Sequence, residues 1–331
     1  MKQHKASNHE RIDFIIRVSI WFSTFALILW GRLVLGVQFE WSGQTVQEVN
    51  LRAKAAHIVI QKSAGSMVRL NIQGAKENLW NQEIQGTTLT IVGPEDGLTV
   101  NDVKVVVEIP QGIMQSYFSF EDVNAEILGA SRVTLQALRG KVAAKSTGEA
   151  TRIFLQKGEI SGQDFNGSLE IECFNGKVQI LNGQSSLKLR QFSGDFNIVK
   201  NSGTIKLEAQ NVQGKILGQQ GLVSMNWGKG SLQLLDFSGR AEGTSMDGLL
   251  TFGLKPESLI DLQAVRGKVS VELPRESGAS LNIRSVSGEL NGPSSIRPAR
   301  EGRFKVIRGK MAGSLKGSVV VSSEEASVTV R

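Results

Sequence analysis

The sequence predicts an all-β fold, a β-solenoid of roughly nine-residue strand-turn units preceded by one N-terminal transmembrane helix. Three observations predict it. A glycine recurs every ninth position through the middle of the chain, an apolar and polar alternation restarts after each of those glycines, and an uncharged run follows a basic flank near the N-terminus.

The glycines are Gly158, Gly167, Gly176, Gly194, Gly203, Gly221, Gly230, Gly239 and Gly248, with Ser185 and Val212 in the two vacant slots. Two and four residues past each slot stand apolar pairs such as Leu169/Ile171, Val178/Ile180, Leu187/Leu189, Phe196/Ile198 and Ile205/Leu207. Glu170, Lys177, Gln179, Lys188 and Lys206 lie between or beside them. A period of two sends the first set to one face of a strand and the second to water. A nine-residue unit cannot cover its own apolar face, so neighbouring units must stack on it. Glycine at each slot is expected to supply the positive φ of a sharp corner.

Two arrangements fit the step. In a solenoid each glycine is a corner and two units close one coil of about eighteen residues; in an antiparallel meander each glycine turns a hairpin. The solenoid is the expectation, because only Asn166-Gly167 and Asn175-Gly176 carry a strong hairpin pair, and Ser193-Gly194 and Ser202-Gly203 do not. Extended over residues 46–331, it would stack about sixteen coils into a rod of roughly 75 Å. Glycine at 36 and proline at six of 331 residues suit such a chain.

Residues 1–17 form a basic leader with Lys2, Lys5, Arg11 and Arg17. Val18 to Gly31 carries no charge, and continuing to Val37 gives a stretch long enough to span a bilayer, interrupted by Arg32. Residues 18–37 are therefore expected as an uncleaved anchor and 38–45 as a linker, with a cleaved signal peptide as the alternative. The basic flank stays inside, so the solenoid of residues 46–331 is expected on the exported side of the membrane.

Catalytic signals are sparse. No nucleophile-elbow, zinc-binding helix or phosphate-loop pattern occurs, and His57 is the one histidine beyond the leader. Nonapeptide calcium rolls place aspartate after the glycine, but only Asp195 does so here, against Ser168, Lys177 and Thr204. No enzyme activity, cofactor or metal is expected. Cys173 is the only cysteine and reads as a small buried hydrophobe.

Charge singles out one region. Between Arg284 and Lys316 eight basic residues face two acidic ones, a local excess of six against +7 for the whole chain. Arg297, Arg300, Arg303, Lys305, Arg308 and Lys310 are the candidate contacts for an anionic surface, around a proline-interrupted segment, residues 292–302, expected as a loop. Nucleic acid is a poor fit for a chain with one tyrosine and no interleaving of aromatic and basic residues.

The turns FNGSL (165–169), FNGKV (174–178), FSGDF (192–196), VRGKV (265–269) and VSGEL (286–290) resemble those of the bacterial putative adhesin family, domains of unknown function that fold as β-solenoids. Val103–Gly112 and Val269–Pro274 resemble that family's strand ending in proline. The resemblance covers roughly residues 45–331. It implies a bacterial envelope protein, often attached to a membrane segment, with no agreed catalytic residues. The expected function is thus a non-catalytic, single-pass protein of the inner membrane. Its rod would contact an envelope polymer, lipopolysaccharide, a surface or a partner protein. A bactofilin-like scaffold and a polysaccharide-processing solenoid enzyme are the alternatives.

Overall fold

The computed structural model describes residues 36–74, 79–274, 277–311, 313 and 315–331. The anchor expected over residues 18–37 therefore lies, apart from its last two positions, outside the described residues. Among the described residues no helix is long and apolar enough to cross a membrane.

The middle of the chain is a stack of parallel strands, and their register decides between the two arrangements. β7 (Gln115–Leu128), β8 (Val133–Lys145), β9 (Ala150–Gln163), β10 (Ser168–Leu181), β11 (Leu187–Val199) and β12 (Ser202–Leu217) follow one another up the stack, numbered within the order set out below. Leu169 pairs with Leu187, Leu187 with Ile205, and Ile205 with Val223, all parallel. A residue is therefore matched with the one eighteen positions on, one full coil away, and the meander is excluded. The nine-residue unit is half a coil. β13 (Gln220–Leu254) carries two successive rungs without a break, and β14 (Leu259–Glu272) lies on its second half.

Each long strand bends near its middle and contributes to two faces. In β10, Leu169, Ile171 and Cys173 point inward from the first half and Val178 and Ile180 from the second, none more than 2% exposed. Burying such aliphatic side chains stabilises the fold by about 1.5–3 kcal/mol each. At every bend one residue drops out of the ladder: the pairing of β9 with β10 passes from Leu155↔Cys173 to Lys157↔Asn175 and skips Phe174.

Both ends depart from the repeat. At the N-terminal end β1 (Val37–Ser42) runs antiparallel to β3 (Met67–Gly74), which runs antiparallel to β6 (Val103–Ile109). β2 (Glu48–Lys62) makes the first full rung under β7, and β6 and β5 (Thr88–Val92) pair with its other edge. β4 (Asn81–Gln85) closes a hairpin onto β5. The linker expected over residues 38–45 is thus mostly strand β1 and belongs to the domain.

At the other end the chain doubles back. β15 (Ser277–Ser285), β16 (Leu290–Asn291), β17 (Ala299–Glu301) and β18 (Phe304–Lys310) precede β19 (Leu315–Ser323) and β20 (Ser327–Val330) in sequence. Yet β19 and β20 stack directly on β14, and β15 and β16 stack on them in turn. The last coil of the chain is slotted inside the one before it. Residues 315–330 thus form an interior rung, and the cap is the β17–β18 hairpin, antiparallel to β15. Antiparallel strands at both ends interrupt the parallel register that further coils would need. From β5 through β15 the first face stacks thirteen parallel rungs, about 60 Å at ~4.8 Å each. That is shorter than the sixteen expected, because the ends spend residues on hairpins and loops.

Candidate functional site

The six basic candidates lie in and beside the terminal hairpin. Residues 292–302 are only partly a loop, since Ala299–Glu301 form β17 and pair with Phe304–Val306. Arg297, Arg300, Arg303, Arg308 and Lys310 are exposed and Lys305 is half-buried. Their partners differ. Arg308 is tied to Glu301 at 3.2 Å, and Lys305 donates from Nζ to the Gly288 carbonyl at 3.3 Å. Arg303 lies over the Phe304 ring at 5.1 Å, and Arg284 reaches the same ring at 5.9 Å, a cation–π arrangement in which two guanidinium groups share one ring. Arg297, Arg300 and Lys310 have no acidic partner among the described residues. Arg300 and Lys305 are direct register partners, so two cations face each other across the hairpin. Like charges so placed are destabilising.

Along the body of the rod, by contrast, charges are matched between rungs. Arg152 and Lys188 flank Glu170 at 3.2 and 2.7 Å, and Arg190 sits between Glu172 and Glu208 at 3.2 and 2.8 Å. The bond from Lys188, with the nearby arginines, holds the Glu170 carboxyl below its ordinary pKa, and the Glu208 bond raises Arg190 further. Asp122 accepts both arms of Arg139, at 2.8 and 2.9 Å. Cys173 is buried, and desolvation pushes its thiol up to about 11.

A second feature was not anticipated from the sequence. The bend between the two faces is lined on its outer side by a row of clefts. One of 590 Å³ lies beside Lys54, Glu121 and Leu138, one of 400 Å³ beside Leu138, Gln156 and Phe174, and one of 680 Å³ beside Phe192, Gln210 and Met246. A fourth, of 610 Å³, reaches the hairpin at Arg284, Arg303 and Phe304, with Glu324 and Glu325 on its wall. The residues projecting into this row are the ones skipped by the ladder, one per rung. Phe174 and Phe192 stack there, with ring centres 4.4 Å apart and planes at 19°. The available signal was an apolar residue two places before a glycine, but it misleads: Phe165 and Phe174 stand in identical Phe-Asn-Gly turns, and Phe165 is buried at 1% while Phe174 is 52% exposed.

The family model described as Toastrack DUF4097 matches residues 46–323. Among solved structures, a protein from Clostridium sporogenes named "putative cell adhesion protein" is 12% identical, with 89% of this chain and 98% of that chain covered and a TM-score of 0.22. A "putative adhesin" from Bacteroides fragilis is 12% identical over 89% and 96% of the two chains, with a TM-score of 0.29. A "putative lipid binding protein" from Parabacteroides distasonis is 12% identical over 89% and 95%, with a TM-score of 0.35. No curated protein matches the chain.

Proposed function

Because this chain belongs to the Toastrack DUF4097 family, we propose that it is a non-catalytic binding rod of the bacterial cell envelope, held at the inner membrane by its apolar N-terminal segment, whose far end contacts an anionic polymer or surface. The adhesin-like names of the similar proteins are compatible with a binding role. The single observation that carries the reading is the unbalanced hairpin. Arg300 opposes Lys305, and Arg284 and Arg303 share one aromatic ring. The neighbouring body of the rod instead pairs its charges from rung to rung. Such crowding costs stability in isolation and is relieved by a bound anion. End-to-end assembly as a filament is the weaker reading, because antiparallel strands cap both ends.

The test is a charge reversal with a matched control. Arg297→Glu, Arg300→Glu and Arg303→Glu together should weaken binding of the full chain to immobilised lipopolysaccharide. At about 1 kcal/mol per cation near an anionic surface, the loss should be on the order of a hundredfold or more. It should shrink as salt rises, with the screening length near ~8 Å at physiological ionic strength. Lys177→Glu, Lys206→Glu and Lys215→Glu, at exposed sites on the body, should have a much smaller effect. Equal losses from both triples would overturn the reading, leaving only diffuse net charge.

A further inference from the structure

We propose that the 610 Å³ cleft at the C-terminal end of the bend binds a phosphoethanolamine head group, a phosphodiester that carries a primary ammonium. The cleft is lined by charges of both signs, Arg284 and Arg303 with Glu324 and Glu325. All four residues are exposed, and none makes an ion pair among the described residues. Along the body of the rod the opposite holds, where Arg152, Lys188 and Arg190 each reach a carboxylate at 3.2 Å or less. Cations and carboxylates that share one hollow without closing on each other leave both signs open to a ligand.

The inverted order of the last coils keeps the two signs apart. Glu324 and Glu325 occupy the bend between β19 and β20, the rung slotted between β14 and β15. Arg284 belongs to the rung above, on β15, and its Nε donates to Ser322 Oγ at 2.9 Å. Arg303 comes from the turn of the hairpin stacked on β15. Both guanidinium groups also engage the Phe304 ring, which draws them away from the carboxylates and toward the hairpin. Carboxylates and cations thus enter the cleft from different rungs, spaced ~4.8 Å apart. Val265 and Val286, from the rungs below and above the carboxylates, add an apolar patch to the lining, and Val286 is 37% exposed.

This arrangement selects a class of ligand. The cleft carries as many carboxylates as cations, so a polyanion drawn to the arginines also meets the glutamates, and a polycation meets the reverse. A ligand with both signs gains from each. An α-amino acid bears its two charges on one carbon, closer together than a rung. The two-carbon spacer of ethanolamine phosphate holds them about a rung apart and lays its methylene groups against the valines. Phosphodiester oxygens accept charge-assisted bonds from guanidinium groups, and a primary ammonium donates to carboxylates. A quaternary ammonium has no N–H to donate and is held by open aromatic faces. Phe304, the one ring lining the cleft, is already taken by the arginines.

The inference rests on the reading of the hairpin end as the binding end and shares Arg303 with it, but the two part at the carboxylates. The full chain, kept in a neutral detergent, would be titrated calorimetrically with glycerophosphoethanolamine, glycerophosphocholine and glycerol phosphate. Micelles carrying phosphatidylethanolamine or phosphatidylcholine would be titrated alongside. Glycerophosphoethanolamine should bind, and the choline and plain phosphate forms should bind at least about tenfold more weakly. Glu324→Gln with Glu325→Gln should abolish this binding and leave the melting temperature near that of the parent. The same variant should bind lipopolysaccharide as tightly as the parent or more so, because it removes negative charge beside Arg303. Arg284→Gln should abolish ethanolamine binding as well and covers the case where the amide variant folds poorly. Tighter binding of the phosphatidylethanolamine micelles than of the soluble diester would uphold the proposal and place the head group in a membrane. Equal affinity would uphold it and place the head group on a soluble molecule. Failure of both ethanolamine probes to bind would overturn it, as would equal affinity for the choline forms or binding that survives loss of both carboxylates. Lipopolysaccharide that fails to bind while the ethanolamine probes do would overturn the hairpin reading alone.

Discussion

A methyl group added at Gly176 would sit 1.9 Å from the carbonyl oxygen of Gly158 on the rung below. At Gly176 that close approach is why glycine is needed, while Gly158, Gly194, Gly203, Gly221, Gly230 and Gly239 in the same series also hold the positive φ expected of them, between 103° and 147°. A second set of positive-φ corners, near 50–70°, stands at Ser146, Asp164, Asn182, Lys200, Gly218 and Asp236, one per eighteen-residue coil and mostly not glycine. The period and its backbone requirement were legible from the sequence and the close approach was not, because a repeat shows where side chains are excluded and not what excludes them. Gly176→Ala should therefore destabilise the protein by about 1–3 kcal/mol, the cost of forcing an extra group into a packed site. Gly86→Ala, at φ 61° with nothing within 4 Å, should cost only the left-handed strain of about 1–2 kcal/mol. Denaturant titration of both variants checks the comparison, which fails if Gly176→Ala is as stable as the parent. Phe165 and Phe174 carry the same lesson: identical local turns lead one ring inside and the other out, because alternate units occupy different corners of the coil.

Single strands were readable because inward and outward positions alternate along them, as β10 shows from Leu169 to Cys173. What alternation cannot give is the neighbour, and the ladder of Arg152, Glu170 and Lys188 appears only once eighteen-residue register is known. Glu170 is bound by Lys188 in the folded state, which lowers its pKa from the ordinary 4.5. A carboxyl with a depressed folded pKa stabilises the fold fully above its unfolded value and loses that contribution as pH falls through the folded one. Glu170→Gln should thus cost about 0.5–1 kcal/mol at neutral pH, in the range for a surface pair. The difference from the parent should narrow as the pH is lowered below about 4.5 and vanish once both forms are uncharged. A gap that stays constant down to the lowest accessible pH would contradict the ladder. At the C-terminal end the elements were harder to place. The spacing loosens after Lys255, and the insertion of β19 and β20 beneath β15 and β16 depends on long-range pairing that no local pattern records.

For the molecule as a whole, stability is a sum over rungs and their interfaces, so a fault in one rung acts on its neighbours. Leu187 is fully buried between Leu169 and Ile205. Leu187→Asp places an unpaired carboxylate there at a cost of several kcal/mol. The melting transition should move down as one cooperative step, and an unchanged midpoint would show that the inward assignment is wrong. The fold class, the inward residues and the basic hairpin's composition were all legible in the sequence. The clefts at the bend were not, since they are made by residues of neighbouring rungs that meet only in the stacked rod.

That stacking is the claim on which both binding surfaces rest, and cysteine cross-linking tests it most directly. In a Cys173→Ala background, Gln179→Cys and Asn197→Cys are exposed register partners on neighbouring rungs. Their separation of about 4.8 Å lies within the range a disulfide spans. Gln179→Cys with Arg190→Cys places the pair on different faces of the rod, although an antiparallel hairpin turning at Gln184-Ser185, the slot a meander would use, would make them neighbours. Mild oxidation should close the first pair within the monomer and leave the second open. Closure of the second pair without the first would contradict the parallel eighteen-residue coil.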